Sequence, residues 1–217
     1  MSGVTRLILI RHGQSEGNAR SLFLGHTDLD LTPLGFSQAE AAARFLDPYP
    51  IDVIYASDLL RARHTAQALG RRRGMEVIDN PAFREIYAGD WEGRRFDEIA
   101  AMPGDAYRIW HEDFGAAHPP HGESVADLYR RVTAETARLL ARYRGKTVCV
   151  GTHATPVRLL RCYFLGVGLA GAQKERWPGN AGVNVIEISP DGSATFLVSN
   201  ETGFLGAPER TDLPKNI

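Results

Sequence analysis

Three short, β-rich apolar runs punctuate the chain: LILI at 7–10, DVIYAS at 52–57 and TVCVG at 147–151. Apolar runs without polar alternation predict strands covered on both faces, as in a parallel sheet. Each is followed by helical spacing. Apolar residues recur at intervals of three and four over Pro33 to Leu46, Leu59 to Arg72 and Pro156 to Leu165, and Ser124 caps a longer amphipathic stretch that ends at Tyr143. Two short helices fit the region from Phe96 to Phe114. Near the C-terminus, VNVIEIS and SATFLVS flank Pro190-Asp191-Gly192, the pattern of a β-hairpin. With no repeat, low-complexity tract or linker, this alternation predicts a single three-layer α/β/α domain over residues 1–217, its mainly parallel sheet flanked by helices.

Composition limits the partners more than it reveals the chemistry. With 43% hydrophobic and 24% charged residues, the 217-residue chain is an ordinary globular one. Its net charge of −1 argues against nucleic acid or an anionic membrane as a partner. All the cations but Lys146, Lys174 and Lys215 are arginine, a skew that suits anion recognition but that codon bias explains equally well. The opening residues lack a secretory pattern, and the longest mostly apolar stretch, Ala154 to Ala172, carries Arg158 and Arg161, so a cytoplasmic location is expected.

Several residues that suggest metal or redox chemistry fail on spacing. Cys149 and Cys162 lie in apolar runs without a CxxC or Cys/His pattern, so buried free thiols are expected. His111, His118 and His121 lack regular ligand intervals, and the loop begun by Asp28 and Asp30 has Pro33 where a calcium loop needs glycine. Arg71-Arg72-Arg73 before Gly74 reads as a solvated helix C-terminus.

The chemistry gathers beyond the carboxyl ends of the three strands, where open α/β sheets bind ligands. Arg11-His12-Gly13 follows the first, Ser57-Asp58-Leu59-Leu60-Arg61 the second and Thr152-His153 the third. Guanidinium forks match phosphate oxygens, a neutral imidazole can attack phosphorus, and nearby cations keep a histidine neutral. Gly13 would let backbone approach closely, and the N-terminus of the next helix would offer N–H donors. Joint placement after three strands favours a phosphate site. No arginine stands six residues beyond either cysteine, and neither a GxSxG elbow nor a Walker loop occurs, which closes the cysteine phosphatase, serine hydrolase and P-loop routes.

Arg11 to Asn18 (RHGQSEGN) resembles the opening motif of the histidine phosphatase superfamily, which includes the cofactor-dependent phosphoglycerate mutases. The resemblance extends through Leu24 to Gly35, Ala56 to Ala66, Phe83 to Gly93 and His121 to Ser124, in that order. It implies a phosphoglycerate mutase-like fold, His12 as a nucleophile that becomes phosphohistidine, and Arg11, Arg61 and His153 holding the phosphoryl group with Asn18 as a further contact. Glu85 would be the general acid and then the base that activates water. No metal or other cofactor is implied. Gln14 and Ala154-Thr155 depart from the family's usual residues without removing a catalytic group.

A metal-independent phosphomonoester hydrolase is the expectation, because the interval from Glu85 to His153 leaves little room for the substrate-covering insertion of the mutases. A phosphoglycerate mutase is the alternative, and a non-catalytic phosphate-binding scaffold the third reading. Leu24 and Gly25, with 87–95 and 114–123, are candidates to meet the leaving group of a small phosphorylated metabolite, and Arg94 and Arg95 are candidates to bind a carboxylate on it. The C-terminal hairpin offers an edge for a homodimer.

Overall fold

The computed structural model describes residues 3–211; residues 1–2 and 212–217 of the expected domain lie outside it. Among the described residues, six strands form one sheet: β1 (Thr5–Arg11), β2 (Val53–Ala56), β3 (Val77–Asp79), β4 (Thr147–Thr152), β5 (Val183–Ile188) and β6 (Ala194–Glu201). Their order is β3-β2-β4-β1-β5-β6. The first four run parallel, with Ile8 and Ile54 both registered against Cys149. β5 pairs antiparallel with β1, and β6 antiparallel with β5, so the predicted hairpin forms one edge.

Among the described residues, seven α-helices join the strands: α1 (Glu16–Ala19), α2 (Pro33–Phe45), α3 (Leu60–Arg73), α4 (Phe96–Ala100), α5 (Ala106–Glu112), α6 (Val125–Arg142) and α7 (Ala154–Phe164). The period of two along β1 assigns them to layers. Leu7 and Leu9 join a core with Leu128 and Val132 of α6 and Val157 and Leu160 of α7, whereas Ile8 and Ile10 face Ala39 and Ala43 of α2 and Leu69 of α3. The sheet is thus covered on both sides. Full burial of a leucine or isoleucine side chain contributes roughly 1.5–3 kcal/mol, so the LILI run anchors both layers. Cys149 and Cys162 are free, buried and on opposite faces.

The helix boundaries follow the local chemistry. Thr32 caps α2, with Pro33 at its first position and the Thr32 hydroxyl accepting from the Gly35 N–H, and the Ser124 hydroxyl accepts from the Asp127 N–H as α6 begins. α3 ends at Gly74 in the left-handed region, φ 64°. Arg71 and Arg72 are exposed in the last turn of α3, as expected of a solvated helix C-terminus. Arg71 pairs with Glu40, Arg72 with Asp47, and Arg73 donates to the carbonyls of Leu46, Asp47 and Tyr49, so the three cations tie α3 to the C-terminal end of α2.

Candidate active site

The sheet places the predicted residues along one edge. Arg11 is the last residue of β1 and His12 follows it; Ser57 follows β2; Thr152 ends β4, and His153 is the N-cap of α7. Arg61 lies in the first turn of α3, and Glu85 comes from the segment after β3. Arg11, His12, Asn18, Leu24, Arg61 and Glu85 line one cleft, which opens to solvent. Arg11, His12, Arg61, Glu85 and His153 are all buried.

Each ionisable group is held in a definite state. His12 Nδ1 lies 2.7 Å from the Gly13 carbonyl, which can only accept, so Nδ1 carries the proton and Nε2 keeps its lone pair. Burial, then Arg61 and Arg11, hold the imidazole pKa well below its ordinary value. Burial also pushes both guanidinium pKa values down to about 10, which leaves them charged at neutral pH. Glu85 shifts the other way: burial raises its pKa, against the opposing effect of the Ile86 and Thr155 N–H groups, which donate to its oxygens at 2.8 and 3.2 Å. The site therefore pairs a neutral base with a carboxyl inclined to keep its proton.

The cations are fixed through backbone. Arg11 Nη1 donates to the Pro178 carbonyl at 2.6 Å, while its buried Nε has no protein partner. Arg61 donates to the carbonyls of Gly25 and Thr27 at 2.8 and 2.9 Å. Glu92 shapes the loop that carries those carbonyls, accepting from the N–H groups of Gly25, His26, Thr27 and Ala88 and from the Thr27 hydroxyl. Burial alone would raise the Glu92 pKa, but these donors outweigh it and hold the carboxyl ionised. Arg131 pairs with Glu123 and donates to the carbonyls of Ala82, Arg84 and Glu85, bracing the strand-like segment that presents Glu85.

Asn18 closes the short helix α1 in a capping box with Ser15, and its Oδ1 also accepts from Asn180 at 3.0 Å. Gly25 is not a lining residue. A Cβ there would sit 2.2 Å from a Glu92 carboxylate oxygen, so this glycine permits the turn that offers its carbonyl to Arg61. Gly13 does allow close backbone approach, but to α2 rather than to a ligand: a Cβ on it would meet the Gly35 carbonyl oxygen at 2.4 Å. Two helix starts front the cleft: the four-residue α1 that follows Gly13, through its N-cap Ser15 and Asn18, and α7, through Ala154 and Thr155. Gln14 is not among the residues lining the cleft, and its Oε1 accepts from the Thr32 hydroxyl at 2.8 Å.

The remaining candidates separate from the cleft. Arg94 is exposed and donates to the Asp90 carbonyl, and Arg95 pairs with Asp97. His121 pairs with Asp90, and His118 contacts the Gly122 carbonyl. Asp28 accepts from the Leu60 N–H at the start of α3, and Asp30 pairs with His64. Among the described residues, no three His, Cys, Asp or Glu side chains are placed to hold a metal ion, and no helix is long and apolar enough to cross a membrane. Ser57 and Glu92 lie in segments that the sequence singles out but have no role of their own in that reading, and the aromatic side of the cleft escapes it. Glu92 stands in the same acidic segment as Glu85, the one signal that could have drawn attention to it.

Comparison with known proteins gives the family. The family model described as the histidine phosphatase superfamily (branch 1) matches residues 7–201. A bifunctional protein of Mycobacterium tuberculosis is 33% identical over 93% of the chain, which spans 55% of that relative's length. Phosphoserine phosphatase 1 of Hydrogenobacter thermophilus is 34% identical over 77% of the chain and 79% of its own length. The solved structure of a mycobacterial glucosyl-3-phosphoglycerate phosphatase superposes with a TM-score of 0.84 at 30% identity, covering 92% of this chain and all of that one.

Proposed function

The chain belongs to the histidine phosphatase superfamily, branch 1, and on that premise we propose that it hydrolyses the phosphomonoester of a small cytoplasmic metabolite through a phosphohistidine on His12, without a metal. The observation that carries this reading is the gathering of His12, Arg11, Arg61 and Glu85 around one cleft, with burial lowering the His12 pKa and raising that of Glu85. Nε2 of His12 attacks phosphorus, forming a P–N bond as the P–O bond to the leaving group breaks. Glu85 gives its proton to the departing oxygen. The resulting carboxylate then takes a proton from water as the water oxygen attacks phosphorus, the P–N bond breaks, and phosphate leaves with His12 and Glu85 restored. Arg11, Arg61, His153 and Asn18 hold the phosphoryl oxygens. Phosphoryl transfer depends mostly on positioning and charge stabilisation, and here the chain itself supplies both cations.

Hydrolysis is favoured over mutase chemistry because the cleft opens to solvent and α4, α5 and α6 occupy the interval between Glu85 and His153. A mutase must instead shield its phosphoenzyme from water. The similar proteins named above as phosphatases point the same way. Phosphate release from p-nitrophenyl phosphate in EDTA is the test. Turnover lost in His12→Ala is expected. Undiminished turnover in that variant, or efficient exchange of 3- and 2-phosphoglycerate with negligible phosphate release, would overturn the reading.

A further inference from the structure

The phosphate floor occupies one side of the cleft, and the other side is apolar. Leu22, Phe23, Leu24, Phe96, Trp110 and Trp177 form it, and among the described lining residues Arg11 and Arg61 are the only guanidiniums. Both already serve the floor. Arg94 and Arg95, the candidates for a substrate carboxylate, lie outside the cleft. A carboxylate on the leaving group would therefore exchange water for rings with no further cation beside it.

The wall is also rigid. Trp110 makes edge contacts with Phe23, Trp91 and Phe114 at 5.2, 5.6 and 4.9 Å and stacks with Trp177 at an interplanar angle of 20°. The buried Arg158 guanidinium lies 4.2 Å from the ring centroids of both Phe114 and Trp177, pinning them together. A pre-ordered aromatic surface binds a flat apolar group with little loss of side-chain freedom.

We infer that the cleft selects phosphomonoesters whose leaving group is uncharged and apolar or aromatic, and disfavours phosphorylated amino acids and sugar acids. The inference rests on the hydrolase reading above and adds a substrate class to it. Trp177, half-buried on the loop before β5, and Trp110, packed behind it, are its specificity-determining residues.

The test compares alkyl esters, so that ring burial rather than an activated phenol leaving group sets the difference: 2-phenylethyl phosphate, ethyl phosphate and O-phospho-L-serine. Burial of a phenyl ring predicts kcat/KM for the phenylethyl ester about 30-fold above that for ethyl phosphate, with phosphoserine no better than ethyl phosphate. Trp177→Ala should lower the phenylethyl-to-ethyl ratio at least about fivefold, and Trp177→Phe should retain most of it. Phosphoserine as the best of the three, or a ratio unchanged in Trp177→Ala, overturns the substrate class while leaving the hydrolase intact. Failure to release phosphate from any ester overturns the hydrolase reading and the inference with it.

Discussion

Nε2 of His153 lies 2.8 Å from the Ser57 hydroxyl, and Nδ1 of the same ring is buried with no protein partner. If the hydroxyl donates to Nε2, the proton of the neutral ring sits on Nδ1, which the proposed mechanism offers to a phosphoryl oxygen. Ser57 also accepts from the Leu59 N–H at 3.3 Å, which leaves its own proton for the histidine. Ser57→Ala should release the ring's tautomer and weaken competitive inhibition by inorganic phosphate about tenfold, the effect of one hydrogen bond. An unchanged inhibition constant, with phosphate still bound, would show that Ser57 does not set the proton of His153.

Glu92 acts on the site at one remove, through the loop whose carbonyls hold Arg61. Replacing it with alanine removes the acceptor for four N–H groups and a hydroxyl. Glu92→Ala should lose roughly 3 kcal/mol of stability and raise KM as Arg61 slackens. Denaturant unfolding and steady-state kinetics check the two halves. A variant with wild-type KM would separate the loop from the phosphate floor.

The pH dependence of turnover should follow Glu85. Its pKa is raised, so the carboxyl keeps the proton needed by the leaving oxygen to a higher pH than an exposed glutamate would, and activity declines on the alkaline side as that proton is lost. Esters with poor leaving groups should show this limb strongly. In Glu85→Gln the limb should disappear from a much reduced kcat. A wild-type alkaline limb persisting in that variant would assign it to another group.

Stability should fall as the protein is acidified. His12 and His153 have folded pKa values below the ordinary 6.5, so the unfolded chain binds more protons below that pH. The stability they contribute is present above pH 6.5 and is lost as pH falls from there toward their folded values, at about 1.4 kcal/mol per pH unit for each ring. Melting temperatures between pH 7.5 and 5.5 should drop more steeply in wild type than in His12→Asn. Equal slopes would mean that burial of His12 is not resisting protonation.

The central strands were legible because β1, β2 and β4 are buried on both faces and read as unbroken apolar runs. β3 was not, since Val77–Asp79 is three residues at an exposed edge, too short for any period to register. α7 begins at Ala154, ahead of the expected Pro156, because His153 is its N-cap and the proline falls within the first turn. Arg11, His12, Arg61 and His153 stood out by following strand ends. The aromatic wall could not stand out, because residues 22–24, 96, 110 and 177 come from separate segments that only the folded chain brings together. The exchange of Ser57 with His153 spans 96 positions and is equally invisible to local pattern.

Covalent phosphate on His12 is the most direct measure of the mechanism. Glu85→Gln mixed with p-nitrophenyl phosphate should accumulate phosphoenzyme, because the phenolate leaves without a proton donor while attack by water lacks its base. After quenching in alkali, where phosphohistidine survives, peptide mass spectrometry should place one phosphate on the segment containing His12, and acid treatment should remove it. The same experiment with His12→Ala in place of Glu85→Gln should yield none. Hydrolysis that continues in His12→Ala, or acid-stable phosphate on a different residue, would contradict the account.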